Sequence, residues 1–327
     1  MVDRRGFVLG SGTVLTAALA GCTAIPGTGG VDPHPVERFV PQATAVSEYG
    51  PTLRDNEYTV WSVDAAALRS EVESLSEDAR SQFDVEIPAR HGVSHSEFGI
   101  EYGAVDDIVF LGTPEINAVP RGVDHLGRLV ASITVGDFDQ GDVVDAVGDE
   151  FRRNDDGEVV VFSDGDLSYA AGDGWLVCGF DPVVRTIVDT RRDNVQRYVA
   201  VTPAIESIVT TLADATFLSA TKHDRHERTD VEDETIEGQV AEGFGYDFTG
   251  ETASIEAVLV FEDAAVVDEE AVTEWAQETL LNVPEPTVAA DGATVTITGD
   301  TDTDVLRYAT IAFLPFSFAT GSEQSTT

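Results

Sequence analysis

Basic residues are scarce in this sequence. Lysine and arginine together number 19 against 60 aspartate and glutamate residues, the formal net charge is -41 at pH 7, and Lys222 is the only lysine. Proteins that bind nucleic acid need clustered basic side chains to neutralise phosphates. The sequence contains no such cluster, so we expect no nucleic-acid binding, and we expect close contact with anionic lipid headgroups to be disfavoured.

Cysteine is also rare, with only Cys22 and Cys178 present. If Cys22 is modified, Cys178 has no partner and no intramolecular disulfide forms. Cys178 lies in the apolar run 175–180, a pattern typical of a strand, and thiols in such runs are usually buried and inert. We therefore predict that Cys178 is a buried structural thiol.

The short patterns that mark common catalytic and cofactor sites are absent as well. The sequence has no phosphate loop, dinucleotide fingerprint, Gly-x-Ser-x-Gly, His-Glu-x-x-His or Cys-x-x-Cys pattern, and no Asn-x-Ser/Thr acceptor. We therefore predict no catalytic residue and no cofactor. Whether the chain is an enzyme stays open, with the non-enzymatic interpretation favoured.

One catalytic motif is matched in its residue spacing but not in the secondary structure that it requires. Ser219 and Lys222 fit Ser-x-x-Lys, the nucleophile motif of penicillin-binding enzymes, which requires the serine at the start of a helix. Here residues 215–221 have the pattern of a strand, which would place the two side chains on opposite faces. The pattern therefore predicts no nucleophile.

A second partial match concerns calcium. Asp300, Asp302 and Asp304 alternate as the ligands of a calcium loop do. The glycine and the glutamate expected later in such a loop are replaced by Val305 and Ile311. The three aspartates are therefore only weak metal candidates, and an acidic turn that caps a helix is the favoured interpretation.

Residues 1–22 carry the clearest functional pattern. Arg4 and Arg5 are followed by Phe7, then by the short apolar stretch 8–20, and the segment closes on Leu-Ala-Gly-Cys at Cys22. The stretch is too short to span a bilayer as a helix. This order resembles a twin-arginine export signal that ends in a lipobox. The resemblance implies export by the twin-arginine translocase and a lipid on Cys22 that anchors the chain to the outer face of the cytoplasmic membrane.

The excess of acidic residues over basic residues is the second clear pattern. A charge of -41 destabilises a compact state in dilute buffer, whereas high salt screens the repulsion. The chain is not a disordered acidic polymer, because its hydrophobic fraction is 42% and apolar periodicities run through most of its length. Taken with residues 1–22, the composition resembles the uncharacterised twin-arginine lipoproteins of halophilic archaea.

Four further segments follow the signal. Residues 23–52 are rich in glycine and proline and predict a flexible linker. Residues 53–200 and 201–319 predict two α+β units, and residues 320–327 predict a disordered tail. Whether the repeats form one domain or two stays open.

A recurring order of elements indicates the fold class. Segments 128–192 and 254–314 each read as strand, helix, hairpin and helix, with Asp-Gly turns between the hairpin strands, and 57–112 reads as a partial copy. We therefore predict an α+β fold of repeated βαββα units, with mainly antiparallel sheets and helices packed on one face.

Three functions fit these observations, and they are given in decreasing order of support from the sequence. The first is a non-enzymatic binding or structural protein of the cell envelope, whose partners are other envelope proteins. The second is a solute-binding lipoprotein of a transporter, which would need two lobes with parallel sheets. The third is a surface hydrolase, which would need clustered polar side chains around a pocket.

The net charge generates a first prediction. Lowering the salt from multimolar to about 0.1 M lengthens the Debye length from roughly 3 Å at 1 M to about 10 Å. The carboxylates then repel one another, and the melting temperature measured by circular dichroism should fall. A melting temperature that does not change across this range would contradict the halophilic interpretation.

Overall fold

The computed structural model describes residues 33–46, 59–72, 98–112, 129–147, 152–156, 158–163, 167–222, 236–280 and 283–302. These ranges all belong to one contact unit, Pro33–Thr327. The export signal and Cys22 lie outside the described residues, as do the C-terminal tail and the closing helix expected from Asp304 onward. Of the predicted flexible linker 23–52, residues 33–46 are described. They form two short helices instead, because the apolar side chains of Val36, Phe39 and Val46 are buried.

The described strands form one twelve-stranded sheet in which every pairing is antiparallel. The spatial order is β11-β12-β10-β9-β8-β1-β2-β3-β7-β6-β5-β4. The strands are β1 (Thr59–Asp64), β2 (Val105–Gly112), β3 (Leu129–Gly136), β4 (Arg152–Asp156), β5 (Val159–Ser163), β6 (Leu167–Gly172), β7 (Trp175–Phe180), β8 (Phe217–Lys222), β9 (Gln239–Thr249), β10 (Thr252–Phe261), β11 (Thr287–Asp291) and β12 (Thr294–Asp302).

Eight α-helices accompany this sheet in the described ranges. They are α1 (Pro35–Phe39), α2 (Ala43–Val46), α3 (Ala65–Val72), α4 (Gln140–Val147), α5 (Asp181–Arg191), α6 (Tyr198–Val201), α7 (Pro203–Thr211) and α8 (Glu269–Thr279). Together with the antiparallel sheet they make the fold α+β, as the sequence predicts. In the part of the chain that the structure describes, no helix is both long and apolar enough to cross a bilayer.

Local sequence signals explain several of these boundaries. Asp268 caps α8, because its carboxylate accepts hydrogen bonds from the amides of Glu270 at 3.0 Å and Ala271 at 3.2 Å. Asp64 caps α3 through the amide of Ala67 at 2.7 Å. Gly292, with φ of 64°, forms the predicted Asp-Gly turn between β11 and β12. The Asp-Gly turn that the sequence predicts in segment 254–314 is therefore confirmed.

The prediction that the helices pack on one face is wrong. The front face of the sheet, which includes Val60 and Val177, is covered by α1, α2, α5, α6 and α7. The back face, which includes Trp61 and Leu259, is covered by α3, α4 and α8. The physical reason lies in the central strands, where successive side chains such as Val60 and Trp61 are both buried and both faces therefore need cover.

The repeated βαββα unit is not confirmed. Four strands, β4 to β7, follow α4, whereas only β11 and β12 follow α8 in the described residues. The two ends of the sheet still share one feature of strand pairing. At one end β3, which precedes α4, pairs with β7, the last of the strands β4 to β7. At the other end β10, which precedes α8, pairs with β12, the last described strand.

The sheet is continuous across residue 200. Strand β1 pairs with β2 on one side and with β8 on the other, and the Thr221 hydroxyl donates to the Thr59 hydroxyl at 2.9 Å. At the far end, the front face of β10, β12 and β11 is more exposed than the centre and carries hydroxyl and carboxylate side chains. We call this surface the open face; its exposed residues include Ser254, Thr298 and Asp300.

Candidate functional site

Among the described residues, His34, Asp64 and Asp107 lie together where α1 packs over β1 and β2, and we call these three residues the α1 cluster. His34 caps α1, since its Nδ1 accepts a hydrogen bond from the amide of Val36 at 3.3 Å. Burial lowers the pKa of His34, and the nearby carboxylate of Asp64 opposes that shift. The unprotonated ring that burial favours is also the form whose Nδ1 can accept this hydrogen bond.

Two carboxylates face each other beside this histidine. Asp64 and Asp107 occupy directly opposite positions of β1 and β2, where side chains lie within contact range. Burial, the charge of Asp64 and the charge of Asp106 together raise the pKa of Asp107 to about 7, while Arg38 on α1 acts in the opposite direction. Asp107 therefore holds a proton up to near-neutral pH.

A carboxyl group that stays protonated near neutral pH can act as a general acid or as a hydrogen-bond donor. In this cluster, however, the neighbouring groups serve the helices: Asp64 accepts the Ala67 amide that starts α3, and His34 accepts the Val36 amide that starts α1. Like-charge pairs of this kind also occur in structural networks. The hydrogen bonds of His34 and Asp64 therefore have a structural role, which is to start α1 and α3.

The structure places the sequence-predicted site residues as follows. Asp300 and Asp302 lie two positions apart on β12, so they share the front side of the strand, and Asp300 accepts the Ser254 hydroxyl at 2.7 Å. Asp304 lies outside the described residues, as do Arg4, Arg5, Phe7 and Cys22. Within the described ranges, no group of three or more His, Cys, Asp or Glu residues is arranged to hold a metal ion.

Two further predictions from single motifs can be compared with the fold. Ser219 and Lys222 lie on β8, three positions apart and hence on opposite faces, as the strand pattern predicts. Cys178 lies on β7 as expected but is only half-buried, at the margin of the back-face core. It is therefore more accessible than the sequence predicts.

Sequence reasoning missed the residues of the α1 cluster. Asp64 has the pattern of an ordinary helix cap, and Asp107 directly follows Asp106 in a chain where carboxylates are common, so neither stands out in the sequence. The one usable signal was that Asp107 directly precedes the apolar run 108–111, whose side chains are buried on β2. The opposing position of Asp64 depends on strand register, which the sequence alone does not provide.

No protein-family model and no curated protein matches this sequence. Among solved structures, crystal form III of TP0453 is similar, with a TM-score of 0.48, 8% sequence identity and coverage of 88% of this chain and 100% of that chain. Crystal form IV of TP0453 gives a TM-score of 0.45 with 7% identity, covering 78% of this chain and 92% of that chain.

The raised pKa of Asp107 generates the second prediction. A carboxyl whose folded pKa exceeds its unfolded value of 3.8 stabilises the fold at low pH, and this contribution is lost as the pH rises from about 4 to about 7. Asp107→Asn removes the ionisation. After discounting for solvent screening, we expect the variant to exceed the parent in free energy of unfolding by about 1–2 kcal/mol above pH 7, with the difference vanishing near pH 4.

The measurement is chemical unfolding of both proteins in constant multimolar salt at several pH values. The control is Asp145→Asn, which alters an exposed carboxylate on α4 and should change stability by no more than about 0.5 kcal/mol at any pH. If the Asp107→Asn and parent curves run parallel across this pH range, Asp107 does not titrate near 7.

Proposed function

We propose that this chain is a lipoprotein of a halophilic cell envelope, exported by the twin-arginine route, anchored through Cys22 to the outer face of the cytoplasmic membrane, and active as a non-enzymatic binding or structural protein. The anchor rests on the order of Arg4, Arg5, Phe7, a short apolar stretch and Cys22. The acidic composition supports a setting of high salt.

One structural observation carries the non-enzymatic part of the proposal. The α1 cluster is committed to holding helices, with His34 and Asp64 each capping one. A catalytic cluster would direct such groups at a substrate instead. The single antiparallel sheet also differs from the two parallel-sheet lobes that a transporter's solute-binding protein would require.

The open face supports a protein partner. Broad, flat surfaces suit macromolecules, whereas small molecules bind in concave sites. Its carboxylates include Glu256 and Asp300, and the pKa of Glu256 is raised by burial and then by the charge of Asp247. These carboxylates give the open face a negative charge. The face is therefore complementary to an envelope protein that presents arginine or lysine side chains.

The anchor generates the third prediction. Cys22→Ser removes the sulfur that would carry the lipid, so the protein should leave the membrane fraction and appear in the medium, as measured by immunoblotting of fractionated cells. Cys178→Ser is the matched control, because it makes the same substitution within the fold, and it should stay with the membrane. Retention of the Cys22→Ser protein in the membrane fraction would mean that the lipid-anchor claim is wrong.

The open face generates the fourth prediction. A photo-crosslinking amino acid at Thr298 should give a discrete product with another envelope protein in intact cells at native salt, because Thr298 is exposed on that face. The same amino acid at Glu274, exposed on the outer side of α8 on the back of the sheet, is the matched control and should give none. Identical products at both positions, or no product at Thr298, would contradict binding through the open face.

A further inference from the structure

Two arginines lie over two adjacent aromatic rings on the front face. Arg38 lies in the last turn of α1 and Arg191 in the last turn of α5. The Arg191 guanidinium carbon lies 5.3 Å from the Trp175 ring centre and 5.7 Å from that of Phe39, and the guanidinium carbon of Arg38 lies 5.5 Å from the Phe39 ring centre. The two rings are 5.9 Å apart and buried.

Within the described ranges neither arginine of this pair is bound in an ion pair, although Asp107 and Glu158 act on them from a longer distance. The buried Nε of Arg191 has no hydrogen-bond acceptor in these ranges. Burial lowers the pKa of Arg191, as does the charge of Arg38, while Glu158 opposes the shift. In a chain with 60 acidic and 19 basic residues, carboxylates are plentiful, so two adjacent arginines without an ion pair in the described ranges are unexpected.

The backbone holds the two arginines in a fixed relation. The amide of Tyr198 donates to the carbonyl of Val40 at 2.8 Å, and the amide of Gln42 donates to the carbonyl of Gln196 at 2.9 Å. These bonds tie the segment after α1 to the segment after α5. Sites that are already ordered lose less entropy when they bind a ligand.

We propose that Arg38 and Arg191 form a binding site for a phosphate group. A guanidinium that lies over an aromatic ring keeps its in-plane N–H donors available, and those donors match the oxygens of a phosphate two at a time. One phosphate group accepts from both arginines and neutralises their mutual repulsion. A chloride ion, the abundant competitor in a saline medium, lacks the several oxygen acceptors that this geometry favours.

The phosphate can come from a soluble ion or from a lipid headgroup. Arg38 follows Cys22 by 16 residues, so the extended chain between them spans about 55 Å at most. A lipid source therefore rests on the proposed membrane anchor, whereas phosphate binding by the two arginines does not. Local contact with one headgroup is compatible with the overall acidity, because multimolar salt screens charges beyond a few ångströms.

The binding test uses the purified full chain carrying Cys22→Ser, titrated with inorganic phosphate in multimolar potassium chloride at constant ionic strength and followed by calorimetry. We expect saturable binding that Arg191→Gln and Arg38→Gln each weaken at least tenfold. Arg185→Gln is the matched control: Arg185 is exposed on α5 and paired with Asp181 at 3.0 Å, so its loss should leave binding unchanged.

The double variant Arg38→Lys/Arg191→Lys separates the effect of charge from that of geometry. It keeps both positive charges over the rings but lacks the planar fork of donors, so we expect weaker binding than in the parent with an unchanged near-ultraviolet circular dichroism spectrum. Full affinity in this variant would overturn the two-point recognition. No saturable phosphate binding by the parent, or equal binding by Arg191→Gln, would overturn the site itself.

A flotation assay distinguishes the two sources. The same protein is mixed with vesicles of phosphatidylglycerol or with vesicles of a neutral glycolipid that lacks phosphate. Arginine-dependent flotation with the phosphatidylglycerol vesicles alone assigns the site to lipid headgroups, and phosphate binding without flotation assigns it to soluble phosphate. If Cys22→Ser cells retain the protein while the arginine-dependent phosphate binding persists, the anchor fails and the site stands.

Discussion

Burial of both faces of the central strands is the constraint on which the rest of this structure depends. In β1, Val60 and Trp61 are neighbours in sequence, point to opposite sides of the sheet and are both buried. An antiparallel sheet can leave one face in water, but these strands cannot. Two layers of helices are therefore required, and the segments that supply them (α1, α5 and α7 on one side, α3, α4 and α8 on the other) occupy positions set by this need.

Local signals in the sequence were sufficient for several of the elements, although α1 and α2 lie in a segment that predicts a flexible linker. Asp268 and Asp64 mark helix starts because a carboxylate at the N-cap satisfies free amides, and Gly292 marks a hairpin because it adopts a positive φ. The layer arrangement was not accessible in the same way. An apolar run such as Trp175–Phe180 predicts a buried strand, but it does not say which helix covers which side or that this strand completes a four-strand meander.

The α1 cluster and the arginine pair could not be predicted, because each is assembled from distant parts of the chain. Asp64 meets Asp107 only through the register of β1 with β2, and Arg38 meets Arg191 only because α1 and α5 pack on the same face around Phe39. The converse holds for Ser-x-x-Lys, a motif that is visible in the sequence. Ser219 and Lys222 are close in the chain, but strand alternation separates them.

The pairing of β1 with β8 has a consequence for how the chain folds. At the centre of the sheet Thr59 on β1 contacts Thr221 on β8, and these residues are 162 positions apart. Pairing the two strands therefore closes a long loop that contains β2 to β7. Non-local pairing of this kind slows folding, because chain entropy is lost before the contacts form. When only the first half of the chain has been synthesised, the sheet is incomplete because β1 still lacks its neighbour β8. The proposed export of an already folded chain therefore matches a topology that closes late in synthesis.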